Sequence, residues 1–103
     1  MQYDIIYIPT IVIGELAFGF ENSERKDENF KILEDFLSQP QIVIVEIDQK
    51  IALKYGSIKY DLKNRGKPIP MNDIWIAACA KAKHLPLMSL DKHFENVREL
   101  RLD

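Results

Sequence analysis

The chain has 103 residues, 47% apolar and 29% charged, with a formal net charge of −2. That length supports one domain over residues 1–103 with a single core, and the composition excludes a disordered chain. The acidic balance excludes a global basic field, so any polyanion binding has to come from a local patch or a bound metal.

Ile5 to Ile8 is a short β-type run that ends at Pro9-Thr10. Ile11 to Gly19 then reads as a helix, with Thr10 as N-cap and Gly19 as its stop. Ser23 opens a second helix whose Phe30, Leu33, Phe36 and Leu37 recur at helical spacing, and Gln39-Pro40 breaks it. Ile42 to Ile47 is nearly continuous in apolar, β-branched character, as in a strand covered on both faces. Asp48 caps a long helix, with Ile51, Ala52, Tyr55, Ile58 and Leu62 on one face and Gly66 at its end. Lys67 to Pro70 is loop, Asn72 caps the next helix, and Ile74 to Ala80 is apolar nearly all round and therefore buried. Leu85 to Leu90 and Arg98 to Leu102 read as two further strands. Helices alternating with short apolar strands predict an α/β domain, a parallel sheet with helices on both faces.

The run Ile74–Ala80 is the longest unbroken apolar stretch and is too short to span a bilayer. Met1 to Ile5 lacks the basic and apolar regions of a signal peptide, so a cytoplasmic protein with no membrane partner is expected. The one cysteine, Cys79, sits in Ile-Ala-Ala-Cys-Ala as a small buried side chain rather than a nucleophile. Cys79, His84 and His93 make no zinc-ligand pattern, and no zinc is expected.

Three acids stand out. Glu15 lies in Ile-Gly-Glu-Leu-Ala-Phe-Gly, Asp73 in Asn-Asp-Ile-Trp-Ile-Ala-Ala, and Asp91 in Ser-Leu-Asp-Lys-His-Phe. Each sits at an element end or among apolar neighbours, where desolvating a carboxylate is costly and a shared cation would offset the cost. In open α/β sheets sites form beyond the carboxyl ends of strands, so the three are expected on one rim. Each also has a bland explanation. Asp73 in a first turn behind an Asn72 cap gains roughly 0.3–1 kcal/mol from helix-end electrostatics. Glu15 has the alternative of a solvent-facing position, and Asp91 that of a turn cap. Trp75 reads as core, and His93 as an exposed turn histidine. Lys59, Lys63, Arg65 and Lys67 form a basic stretch: a solvated helix face, or more sharply an edge that steers phosphates.

Together the strings Ile8–Gly19, Asn72–Ala78 and Leu87–Phe94 resemble the PIN-domain ribonucleases, and within them the VapC toxins of type II toxin–antitoxin systems. The resemblance covers essentially the whole chain, and the Asn-Asp-Ile-Trp-Ile-Ala-Ala string is its most specific part. It implies a three-layer α/β/α PIN-like fold with a parallel sheet. It makes Glu15, Asp73 and Asp91 the metal-holding and catalytic acids of a Mg²⁺- or Mn²⁺-dependent endoribonuclease acting on RNA. It also implies a cognate VapB-type antitoxin and a homodimer. Hard divalent cations prefer oxygen ligands and polarise phosphoryl groups, which suits an all-carboxylate set.

The chain departs from the family pattern at its start. The family has a central N-terminal strand ending in Asp; here Asp4 precedes the first strand instead, and Ser89-Leu90-Asp91 replaces the common Thr-Arg/Asn-Asp. The expectation is an open sheet centre, a marginal or oligomeric monomer and weakened activity, unless Met1 is an internal methionine of a longer product. The competing reading is a non-catalytic PIN remnant that binds an antitoxin.

Overall fold

The computed structural model describes residues 5–85. The chain divides into two compact units, one ending at Glu46 and the other beginning at Ile47.

In the first unit, β1 (Ile6–Pro9) is followed by α1 (Thr10–Glu21), α2 (Lys26–Leu37) and β2 (Ile42–Val45). The strands pair in parallel, Ile6 opposite Ile42 through Pro9 opposite Val45. A parallel pair requires a crossover, and the two helices supply it. α1 packs on β1, α2 on β2, and the helices on each other. Phe20 and Phe30 join them edge to face, ring centroids 5.4 Å apart.

Several boundaries differ from the sequence expectation. The expected strand Ile5–Ile8 runs Ile6–Pro9, and α1 follows with no loop between. Thr10 is the first helical residue and not the cap; Pro9 occupies the cap position at φ −64° and ψ 143°. The pyrrolidine ring fixes only the φ of Pro9; with ψ at 143° the residue is extended, and the next residue turns into the helix. Gly19 does not stop α1, which continues to Glu21, because glycine weakens a helix without ending it unless the chain there turns left-handed. α2 begins at Lys26, three residues after Ser23, whose hydroxyl accepts from the Arg25 amide and from Asn29 Nδ2 across the turn. Phe36, expected on the buried face of α2, is exposed, along with Ile32.

β2 is shorter than the run Ile42–Ile47 and is not covered along its length. Ile42 and Val45 are buried, but Val43 and Ile44 between them are 39% and 43% exposed. Apolar β-branched residues set a strand's propensity; they do not set how far neighbouring elements cover it.

In the second unit, α3 (Gln49–Asn64) and α4 (Met71–Ala82) pack against each other. Ile51, Ile58 and Leu62 from α3 are buried, as are Ile74, Ala77, Ala78, Cys79, Ala80 and Ala82 from α4. The small residues of α4 let the helices approach closely, and Ala52, expected on the buried face of α3, faces solvent instead. Asp48 caps α3 as expected: its Oδ1 accepts from the Ile51 amide at 2.9 Å. α4 is not capped by Asn72. Pro70 holds the cap position at φ −55° and ψ 146°, and Asn72 is the second helical residue. Both Pro9 and Pro70 thus start helices from extended backbone, ahead of the polar residue whose side chain suggested a cap. Apart from Leu85 itself, the expected strands over 85–90 and 98–102 lie outside the described residues.

Candidate functional site

Asp73 is the third residue of α4 and the only acid in its first turn. A carboxylate at this position often reaches back to the amide of the cap residue. Pro70 has no amide hydrogen, so that role is closed to Asp73. The side chain is half-buried and stands at the positive end of the helix, a favourable place for a carboxylate.

Glu15 is the sixth residue of α1 and is exposed. The desolvation cost inferred from its apolar neighbours therefore does not arise. α1 buries no residue fully, and Phe18 is 82% exposed, so an apolar string here does not mean an apolar environment. Asp91, His93 and their motif lie outside the described residues. Glu15 and Asp73 belong to different units. Among the described residues, no three His, Cys, Asp or Glu side chains gather at one point.

The second unit supplies structure around Asp73 that the sequence did not disclose. Tyr55 on α3 and Trp75 on α4 stack face to face, with centroids 3.9 Å apart and planes 18° from parallel. The Lys59 ammonium lies 5.7 Å from the Tyr55 ring centroid, within cation–π reach. Trp75 is half-buried, so it is a helix-packing residue at the margin of the core rather than inside it. At the other end of the pair, Lys83 Nζ donates to Asp48 Oδ2 at 2.6 Å and links the start of α3 to the end of α4. This hydrogen bond, and then that from the Ile51 amide, hold the Asp48 carboxyl below its ordinary range. Burial first, then the Asp48 charge, push the Cys79 thiol up to about 11, partly opposed by Lys83. Cys79 is therefore a neutral core thiol near pH 7, as its neighbours in sequence indicated.

The basic stretch resolves into two kinds of residue. Arg65 Nε is bonded to Asp61 Oδ2 at 3.0 Å, and Lys59 lies over Tyr55. Lys63 and Lys67 are exposed and make no ion pair among the described residues. Their backbone is firmly held. Gly66 adopts φ 65°, its amide donates to the Lys63 carbonyl at 3.1 Å, and the Lys67 amide donates to the Leu62 carbonyl at 2.9 Å. This is the Schellman closure of a helix, with glycine at the left-handed position. Pro68 and Pro70 then flank Ile69, which is buried, before α4 begins.

The PIN domain family model matches residues 1–100. The chain is 39% identical over 97 residues to ribonuclease VapC2 of Haemophilus influenzae, covering 93% of this chain and 72% of that protein. It is 29% identical to the tRNA(fMet)-specific endonuclease VapC of Shigella flexneri, with the same coverage of each chain. Among solved structures it is similar to VapBC2 from Rickettsia felis bound to a DNA fragment from the promoter, with a TM-score of 0.87 and 31% identity. That match covers 96% of this chain and 74% of the other. On the family model that spans nearly the whole chain and on a relative 39% identical over 97 residues, the chain belongs to the PIN-domain family, among its VapC ribonucleases.

Proposed function

We propose that the chain is the endoribonuclease toxin of a type II toxin–antitoxin system, hydrolysing RNA phosphodiesters at a site formed by Glu15, Asp73 and Asp91, with Mg²⁺ or Mn²⁺ as its cofactor. The observation that carries this reading is Asp73: a half-buried carboxylate held in the first turn of α4 by a proline-started helix, in a chain related to VapC ribonucleases.

The donor set suits the ion. All three acids are hard oxygen donors, the kind that Mg²⁺ and Mn²⁺ favour over nitrogen or sulfur. When bound, a divalent cation polarises a phosphoryl oxygen and lowers the pKa of an attacking water. Asp73 would hold it from a helix whose α3–α4 packing fixes the backbone, and Glu15 from solvent-exposed α1. A VapB-type antitoxin is the proposed inhibitory partner, consistent with the solved VapBC complex to which the chain is similar.

The experiment is cleavage of a mixed RNA pool by purified protein with Mg²⁺ or Mn²⁺, with EDTA, and with Asp73→Asn. The expected result is cleavage that EDTA abolishes and that Asp73→Asn lowers by about 100-fold or more, since several kcal/mol of transition-state charge stabilisation depend on the ion. Cleavage that persists in EDTA, or at the parent rate in Asp73→Asn, overturns the assignment.

A further inference from the structure

We infer that Lys63 and Lys67 form a preset phosphate clamp that holds the RNA backbone beside the scissile bond; the inference rests on the endoribonuclease reading above. Three observations in the second unit converge on it. First, both lysines stand, along the chain, between the end of α3 and the first turn of α4 that carries Asp73. Lys63 is in the last turn of α3, Lys67 follows the Gly66 closure, and the short run 68–70 leads directly into the first turn of α4.

Second, these two cations have no ion pair among the described residues. Arg65 is taken by Asp61 and Lys59 by the Tyr55 ring, whereas Lys63 and Lys67 are exposed. The α3 carbonyl end accounts for one cation in the last turn, which Lys63 satisfies. It does not account for Lys67, whose place is beyond the helix.

Third, the loop is built for rigidity. The Lys67 amide is tied back to Leu62, and two prolines bracket buried Ile69. A lysine needed only for solubility does not require its backbone to be fixed; one that must meet a phosphate at a set distance from a carboxylate site gains from it, because no backbone entropy is left to be lost on binding, only that of the side chain. In a chain of net charge −2, such a local pair is also what allows a polyanion to approach an acidic site.

The test measures KM, kcat and the salt dependence of RNA binding for the parent, Lys63→Gln, Lys67→Gln, the double glutamine variant and the double arginine variant. Binding is measured to a labelled single-stranded RNA pool in the Asp73→Asn background, where the RNA stays intact. The expected outcome is a rise in KM, with the effect falling on KM rather than kcat. The slope of log binding constant against log salt should shrink by about 0.7 for each lysine lost and about 1.4 for the pair, as for release of counterions from a single strand. The arginine pair should restore both. An unchanged slope in Lys67→Gln and in the double variant overturns the clamp even if KM rises, because a merely structural role alters KM without altering the slope. The nuclease reading fails separately, when Asp73→Asn cleaves like the parent.

Discussion

At the residue scale, the side chains that matter most in the second unit are short-range devices used twice. Asp48 caps α3 through the Ile51 amide and also receives the Lys83 ammonium from the end of α4. Its carboxyl is held below the ordinary range by Lys83 first and by the Ile51 amide second. A group whose folded pKa is depressed contributes stability that is present above its unfolded pKa and is lost as pH falls through the folded one. Stability from this pair should therefore be complete at neutral pH and decline on the acid side of the usual carboxylate range. Asn is as good a cap as Asp but carries no charge for Lys83. Asp48→Asn should accordingly melt below the parent at pH 7, with the difference closing as the pH is lowered. Paired thermal melts across the acid limb check this, and a constant gap at every pH would show that the charge is irrelevant.

At the element scale, glycine has opposite meanings in two helices. Gly66 sits at φ 65°, where a Cβ is strained whatever space surrounds it. Gly66→Ala should destabilise the protein by about 1–2 kcal/mol, the cost of a left-handed L-residue. Gly19 lies inside α1 with open space where a Cβ would stand, so Gly19→Ala should stabilise by roughly 0.5–1 kcal/mol. Urea titration of both variants is the measurement, and the two shifts should have opposite signs. The contrast also explains why Gly19 read as a stop: a glycine after an apolar run looks the same in sequence whether its φ is negative or positive. α4 closes by the same geometry as α3, but with His84 at φ 55° in the left-handed place. No sequence rule would have selected a histidine there, although histidine is among the residues that tolerate that region.

At the scale of the whole molecule, Cys79 is the single thiol and Trp75 the single tryptophan, and both report on the second unit. Cys79 is 1% exposed and its thiol is pushed up to about 11 by burial. Reaction with a thiol reagent at neutral pH should be slower than in the unfolded chain by at least about 10³-fold, because it has to wait for α3 and α4 to separate. Labelling followed by mass spectrometry, alongside Trp75 fluorescence through a urea titration, tests this. Fast labelling while the Tyr55–Trp75 stack persists would mean that the thiol is reached without α3 and α4 separating, and would overturn this. Among the described residues, no helix is long and apolar enough to cross a membrane.

Much of this protein is written in local sequence. The alternation of strands and helices, the Asp48 cap, the Gly66 stop, the loop over 67–70 and the place of Asp73 in a first turn follow from residues within about a turn of each other. Those signals act through backbone geometry and hydrogen bonds that neighbours along the chain can complete alone. The family strings around Glu15 and Asp73 were legible for the same reason. The tertiary structure decided what those residues experience. It left Glu15 in solvent despite its apolar neighbours and gave Val43 and Ile44 only partial cover. It also brought Lys83 to Asp48 across 35 positions and set Trp75 on Tyr55. Burial and long-range pairing depend on which faces of α3 and α4 meet, and a hydrophobic pattern says that a face is covered without naming what covers it.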